Sequence, residues 1–349
     1  MINHAEPYYG KAEIEAVNKY LKGGGFLTEH IYTKKFEDML AKFLNVPYVS
    51  CVTSGTSALY LSLLAAGIGR GDEVIVPDLT MIATANAVRM VGATVKLIDV
   101  GENGCLDYES IEDNLTEKTK AVIVVDLNGR SGEMDKIRNL ARNSNFVLIE
   151  DACQALGSKY KRKYLGTFGR FGCFSLGFHK IITTGQGGFI VTNNKQDYEA
   201  IERLKDFGRL EGGSDIHDHL GYNFKFTDLQ AVIGIEQLKT IQWRMKKKRQ
   251  IYEWYWEEEP SIGYVPWFIE EISSCDRDGL KRYLKNKGIE TRVMYPPIHT
   301  QNIYKMIKPN FPTSEFISDS ILWMPSSLSL TKKDVKHIVR ETGGFYADV

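Results

Sequence analysis

Phe146-Val147-Leu148-Ile149-Glu150-Asp151 is a short apolar run that ends on two carboxylates. A run of this length, bounded by charge, fits a strand buried on both faces of a parallel sheet. Runs of the same make-up precede it at Glu73 to Pro77, Thr94 to Val100 and Lys120 to Val125, and helical spacing separates them near Ile82 to Val91, Tyr108 to Leu115 and Glu133 to Arg142. Strands alternating with helices imply right-handed crossovers and a mostly parallel central sheet covered on both faces, so the predicted class is α/β. Such sheets bind ligands beyond the carboxyl ends of their strands. The residues just after each run therefore matter more than those within it.

Those positions are Ser54-Gly55-Thr56, Asp78-Leu79-Thr80-Met81, Asp126-Leu127-Asn128-Gly129 and Asp151-Ala152-Cys153-Gln154. The first lies between the strand-like Val46 to Val52 and the helical run Ala58 to Ala66. Free N–H groups at the positive end of a helix make a place for phosphate there, or the turn is a Ser/Thr cap with no ligand. Asp151 ends the most apolar strand, where a carboxylate is costly unless a cation or strong donor faces it. The plainer alternative is an Asp that caps the next turn.

Further along, Phe171 to Ser175 and Gly187 to Asn193 read as strands, after a hairpin that turns at Lys161-Arg162-Lys163. Between the strands, Phe178-His179-Lys180-Ile181-Ile182-Thr183-Thr184-Gly185-Gln186-Gly187-Gly188 carries one lysine among apolar, small and hydroxyl residues. A crowded ammonium loses hydration, its pKa falls, and the neutral amine can condense with an aldehyde. The alternative is a solvated lysine on a Gly-rich loop.

At 349 residues, with 43% hydrophobic and 25% charged, the chain can bury a large core and is predicted to form two domains, residues 1–240 and 241–349, with the N-terminal segment packing on the second. Helices are predicted over Ala12 to Leu21 and Tyr32 to Leu44 in the first. A charged helical stretch from Gln242 to Glu259 leads into an α+β region with strands at Tyr264 to Ile272 and Glu290 to Tyr295, and helices at Cys275 to Lys287 and Lys332 to Arg340. Trp267, Tyr295 and His299 are placed at the mouth of a site, or pack between the domains. Forty-four basic against forty-four acidic residues point to neither nucleic acid nor a membrane surface as partner. The basic cluster Arg244 to Arg249 reads as a solvated helix face. Five widely spaced cysteines (Cys51, Cys105, Cys153, Cys173, Cys275) lack the close pairs of a zinc site and suit a reducing compartment. The N-terminus has neither a charged start nor an apolar run, so the predicted location is cytoplasmic.

Taken in order, Ser54-Gly55-Thr56-Ser57, Thr80-Met81-Ile82-Ala83-Thr84-Ala85-Asn86, Glu150-Asp151-Ala152, Phe174-Ser175, Lys180 with Thr183-Thr184-Gly185-Gln186-Gly187-Gly188, and Gly221-Tyr222-Asn223-Phe224 resemble the sugar aminotransferases of the DegT/DnrJ/EryC1 family. Gly288-Ile289-Glu290-Thr291-Arg292, Tyr295-Pro296-Pro297 and His299 extend the likeness over almost the whole chain. The resemblance implies the aspartate aminotransferase (type I) fold and pyridoxal phosphate as cofactor. Lys180 would hold the cofactor covalently, and Asp151 would pair with its protonated ring nitrogen. Ser54, Gly55 and Thr56, with Ser175, would seat its phosphate. Gln154 would approach the ring edge, Met81, standing where the family often places an aromatic residue over the pyridine ring, would contact the cofactor or else be a core methionine, and Asn223 would reach the site of a neighbouring subunit, which implies a homodimer with shared sites. Gln186 and Lys225 stand where many members carry glutamate and arginine.

The activity implied is transfer of an amino group from L-glutamate to a nucleotide-linked keto-6-deoxy sugar. The Lys-x-x-Thr-Thr-Gly pattern resembles members that aminate a 4-keto sugar, such as perosamine and viosamine synthases, whereas Asp151 to Gln154 resemble members acting on 3-keto sugars. Related keto-sugar dehydratases carry histidine at the lysine position, and His179 precedes Lys180. The count from Lys180 to the Thr-Thr-Gly segment favours the lysine.

Overall fold

The computed structural model describes residues 1–209, 215–273, 276–305 and 310–347. Helices α1 (Lys11–Lys22) and α2 (Ile31–Leu44) precede strand β1 (Tyr48–Val52). An alternating series follows: α3 (Gly55–Ala65), β2 (Glu73–Pro77), α4 (Ala83–Met90), β3 (Thr94–Ile98), α5 (Tyr108–Asp113), β4 (Thr119–Val125), α6 (Met134–Ser144) and β5 (Val147–Asp151). A hairpin of β6 (Lys159–Tyr160) and β7 (Lys163–Tyr164) turns at Lys161 and Arg162, both at positive φ. Then come β8 (Phe171–Ser175), β9 (Gly188–Thr192), α7 (Lys195–Lys205) and α8 (Asp228–Lys239).

The seven large-sheet strands lie in the order β1-β9-β8-β5-β4-β2-β3. Only β9 runs antiparallel, to β1 on one side and β8 on the other; the four remaining pairs are parallel. The carboxyl ends of β1, β2, β4, β5 and β8 therefore lie on one side. Side chains alternate between faces, as the period of a strand requires. Val74, Val76, Ile123 and Ile149 join a core with α3 and α4, while Ile75, Val122, Val124 and Leu148 join one with α2, α6 and α8. Both faces are dry, which is why the runs are continuously apolar. The sequence reading places no element between Asn194 and residue 240. Helix α8 escapes it because its apolar residues go round the helix and form no stripe.

The remaining elements are α9 (Ile241–Trp256), β10 (Ile269–Ile272), α10 (Arg277–Asn286), β11 (Arg292–Val293), α11 (Pro312–Ser320), β12 (Ile321–Met324) and α12 (Lys332–Ala347). The strands form a second, antiparallel sheet in the order β10-β12-β11. Leu322 and Met324 face a core with α9, α10 and α12, whereas Ile321 and Trp323 face the large core. The N-terminus is tied to this part: the Ile2 amide donates to Gly288 O at 2.8 Å, and the Glu290 amide donates to Ile2 O at 2.9 Å. Cys275, where the sequence reading starts a helix, lies outside the described residues, and the helix begins at Arg277.

Two sequence expectations are corrected. Strand β10 starts at Ile269 and not at Tyr264, because the preceding backbone bonds elsewhere. The Val265 amide donates to Ser158 Oγ at 3.0 Å, and the Phe268 amide donates to Asn128 Oδ1 at 2.7 Å. The basic cluster on α9 is also a solvated face only in part, with Lys246 exposed. Arg244 and Lys248 are buried, Arg244 donating to Ile181 O and Tyr8 O, and Lys248 to Trp267 O and Ser326 O.

Candidate active site

The turn from β1 into α3 is capped reciprocally. Ser54 Oγ accepts from the Ser57 amide at 3.0 Å, and Ser57 Oγ accepts from the Ser54 amide at 2.9 Å. The first amides of the helix, including those of Gly55 and Thr56, have no acceptor within the helix, as at any helix start. A Cβ on Gly55 would lie 2.6 Å from Cys153 Sγ and 3.1 Å from Ser175 Cβ. Only glycine lets this turn meet the segment after β5 and the end of β8 at one point.

Ser175 is also opposite Gly188 in the pairing of β8 with β9, and Gly188 is opposite Val52 of β1. A Cβ on Gly188 would come within 2.5 Å of the Ser54 carbonyl. The loop that carries Lys180 thus leaves the sheet and returns to it at one rung, beside the Ser54 turn.

Asp151 is 6% exposed, at the carboxyl end of β5. Thr84 Oγ1 on α4 donates to its Oδ2 at 2.8 Å, and the Cys153 amide donates to its Oδ1 at 3.2 Å. Neighbouring Glu150 accepts from the amides of Gly166, Phe168 and Gly169 at 2.5 to 2.8 Å, which pins the segment leading into β8. Asp126, at the end of β4, is fully buried, and neither carboxyl oxygen has a partner among the described residues. Burial, with Glu150 and Asp151 adding to it, pushes the Asp126 carboxyl well above its ordinary range.

Lys180, Cys153, Gln154, Ser175, Ile181 and Trp267 line one small cleft. Burial brings the Lys180 amine down to about 8, against the opposing pull of Cys153 and Asp151, with Arg292 adding to the decrease. Its Nζ lies 3.7 Å from the centroid of the Trp267 ring. His179 packs against Phe178, Trp267 and Phe268, its Nδ1 buried without a partner among the described residues. Burial lowers its pKa to about 3, so it stays neutral.

Gln154 is buried, and its Oε1 accepts from the Asn128 amide at 2.9 Å. Tyr295 is half-buried, its phenol pushed up mainly by burial against the opposing pull of Arg292, and its ring meets Trp323 edge-on at 4.9 Å between centroids. Met81 is 46% exposed, its sulfur 3.1 Å from the Ala83 amide, so it is neither a core methionine nor inside the cleft. Asn223 is exposed, its backbone bridged to Asp206 and its segment joined to the Ser54 turn by the Thr53 amide donating to Phe224 O at 3.2 Å. Lys225 pairs with Asp206, and the Gln186 carbonyl accepts from Thr184 Oγ1 and Gln230 Nε2. His299 departs from its place at the mouth. Its Nδ1 meets Asp78 Oδ2 at 2.7 Å and its Nε2 meets Glu315 Oε1 at 3.2 Å, so neither ring nitrogen is free for a substrate.

Sequence reasoning missed Thr84, Cys153 and Arg292 as parts of this site. Thr84 lies in the first turn of α4, its hydroxyl 3.2 Å from that of Thr80 in the preceding bend. A larger hollow of 670 Å³, beyond Phe268 and lined by Arg130, Tyr160, Tyr252, Trp256, Tyr264 and Glu270, contains neither Lys180 nor Asp151.

The profile of the DegT/DnrJ/EryC1/StrS aminotransferase family matches residues 7–342. The chain is 36% identical to a GDP-perosamine synthase of Escherichia coli O157:H7, over 98% of each chain. It is 31% identical to the UDP-4-amino-4,6-dideoxy-N-acetyl-beta-L-altrosamine transaminase of Campylobacter jejuni subsp. jejuni, over 97% of this chain and 96% of the relative. Its backbone superposes on the aminotransferase TlmJ from Streptoalloteichus hindustanus with a TM-score of 0.93 and 28% identity, over 99% of each chain.

Proposed function

The chain belongs to the DegT/DnrJ/EryC1/StrS aminotransferase family, and from that premise we propose that it carries an amino group from L-glutamate to the 4-keto carbon of a nucleotide-linked 6-deoxy sugar. The observation that carries this reading is Lys180, an amine brought down to about 8 by burial on the β8–β9 loop, with Asp151 and Cys153 acting on it. Pyridoxal phosphate, when bound, supplies an aldehyde for that amine and a ring that withdraws electrons from the carbon losing its proton.

The residues fit such a group. The start of α3, with Ser175 beside it, is a seat for a phosphate dianion, and glycine at position 55 leaves the seat open. Asp151, oriented by Thr84 and the Cys153 amide, is a fixed negative charge that keeps a facing ring nitrogen protonated. Gln154, locked by the Asn128 amide, lines the same cleft as Lys180 and would meet the ring at its edge. Lys180, once free of the cofactor, accepts the proton from the donor carbon and returns it; a pKa near the working pH suits a group that must do both. Trp267 walls the cleft from the small-sheet side, where it excludes water from the amine. Asn223, exposed beside the Ser54 turn, extends to the partner subunit in a homodimer. The 4-position is supported by the name of the Campylobacter relative, which specifies a 4-amino-4,6-dideoxy sugar.

Lys180→Ala is expected to abolish the visible absorbance of the cofactor-loaded protein; an unchanged spectrum would overturn the assignment. Glutamate alone should convert the cofactor to its amine form. Incubation with GDP-, UDP- and dTDP-linked 3-keto and 4-keto sugars then identifies the acceptor. Turnover that leaves no nitrogen on the sugar would make the protein a dehydratase.

A further inference from the structure

Among the described residues the Lys180 amine makes no hydrogen bond or ion pair. What it touches is the face of Trp267, 3.7 Å from the ring centroid, well within the reach at which a cation is drawn to an aromatic face. The indole is held from several directions. Its Nε1 donates to His179 O at 3.0 Å, and its carbonyl accepts from Lys248 Nζ at 2.7 Å. Its ring packs 4.2 Å from Phe268 and 5.6 Å from Trp323, centroid to centroid. Asn128 in turn clamps Phe268, accepting from its amide at 2.7 Å and donating to its carbonyl at 3.0 Å. Trp267 is 4% exposed. These contacts hold the ring without using the Lys180 side chain, and the amine rests on its face.

We propose that Trp267 is a positioning residue for Lys180, its indole face being the seat of the amine whenever the amine carries a proton and is not bonded to the cofactor. This rests on the reading of Lys180 as the amine that reacts with the cofactor. The ring quadrupole attracts an ammonium and has little hold on a neutral amine. The seat therefore sorts protonation states. It keeps the charged amine off the reacting atoms and lets the neutral amine swing back. The other groups acting on Lys180 are Cys153 and Asp151, which favour the cation, and Arg292, which disfavours it; burial, with Arg292 on its side, outweighs the first two. Next door, His179 is neutral and adds no like charge, while the Lys248 amine is engaged with Trp267 O and Ser326 O.

The test varies the ring face without varying its shape. The chain has five tryptophans, so fluorinated tryptophans are introduced at position 267 alone by nonsense suppression, with one, two and three fluorines. In the full-length protein freed of cofactor, carbamylation of Lys180 by cyanate is followed against pH by mass spectrometry of its peptide. Each fluorine should lower the midpoint, by about one pH unit over the series. Trp267→Phe should fall between the wild type and the most fluorinated protein. In the loaded protein the acid limb of the glutamate half-reaction should move the same way. A midpoint indifferent to fluorine overturns the proposal. So does a midpoint that rises in Trp267→Leu while the fluorine series stays flat, because the indole would then serve only to exclude water. Failure of the reading beneath it looks different: Lys180→Ala would keep its visible absorbance whatever the fluorine series does.

Discussion

Lys248 donates to two carbonyl oxygens, Trp267 O and Ser326 O, and so leaves water without meeting a counter-charge. Burial alone brings its pKa down to about 7. Because the folded value lies below the unfolded one of about 10.4, the unfolded chain binds more protons between these values, and stability rises with pH through that window. Below about 7 both states are charged and the penalty is full. Denaturant titrations at pH 7.5 and 9.5 should show the wild type gaining stability at the higher pH, and Lys248→Met losing part of that gain. The same variant should cost about 2–4 kcal/mol at pH 9.5 from two carbonyls left unpaired. Asp151→Asn keeps the shape and the Thr84 contact but removes the charge; kcat should fall by about a hundredfold or more, with the protein still folded by circular dichroism. Lys180, Asp151 and Ser175 were legible in the sequence because each follows or ends a short apolar run, where topology dictates a ligand site. The burial of Arg244 and Lys248 was not legible. It is decided by carbonyls at Tyr8, Ile181, Trp267 and Ser326, which the chain brings together from far-apart segments.

Among the elements, the close meeting of α3, β5 and β8 sets how little room the site has. Gly55→Ala forces a Cβ against Cys153 Sγ and should cost about 1–3 kcal/mol, with weaker binding of pyridoxal phosphate. Adding Cys153→Ala removes the nearest atom and should recover part of both losses, read as the dissociation constant for the cofactor and the denaturation midpoint. Glu150 acts on the other side of the same strand end. Glu150→Gln replaces one acceptor oxygen by an amide that faces N–H groups, and should lower stability by about 2–3 kcal/mol. The strands of the large sheet could be read almost to their ends because both faces are dry and their apolar runs are unbroken. Strand β10 could not, since Asn128 and Ser158 take up the backbone before Ile269. Helix α8 lacks a stripe for the opposite reason, an excess of apolar neighbours.

At the scale of the molecule, the proposed homodimer makes a prediction that a single chain cannot satisfy. Lys180→Ala removes the amine, and Asn223→Ala removes the group extended to the partner, so each variant alone should be deficient. Co-expressed, they form mixed dimers in which one of the two sites has both residues intact. Random pairing makes half the dimers mixed, so activity should return to about a quarter of the wild type. No recovery would place Asn223 in its own subunit's site. The rung at which Ser175 faces Gly188 reaches further than the chemistry of either residue. A loop that departs and rejoins at one rung is a closed circuit, and that rung gauges the gap between the anion seat and the backbone that carries the amine. One residue inserted between Ser175 and Gly188 would reset the gauge, and the indole of Trp267, propped on Trp323 of the second sheet, sets where the amine itself comes to rest.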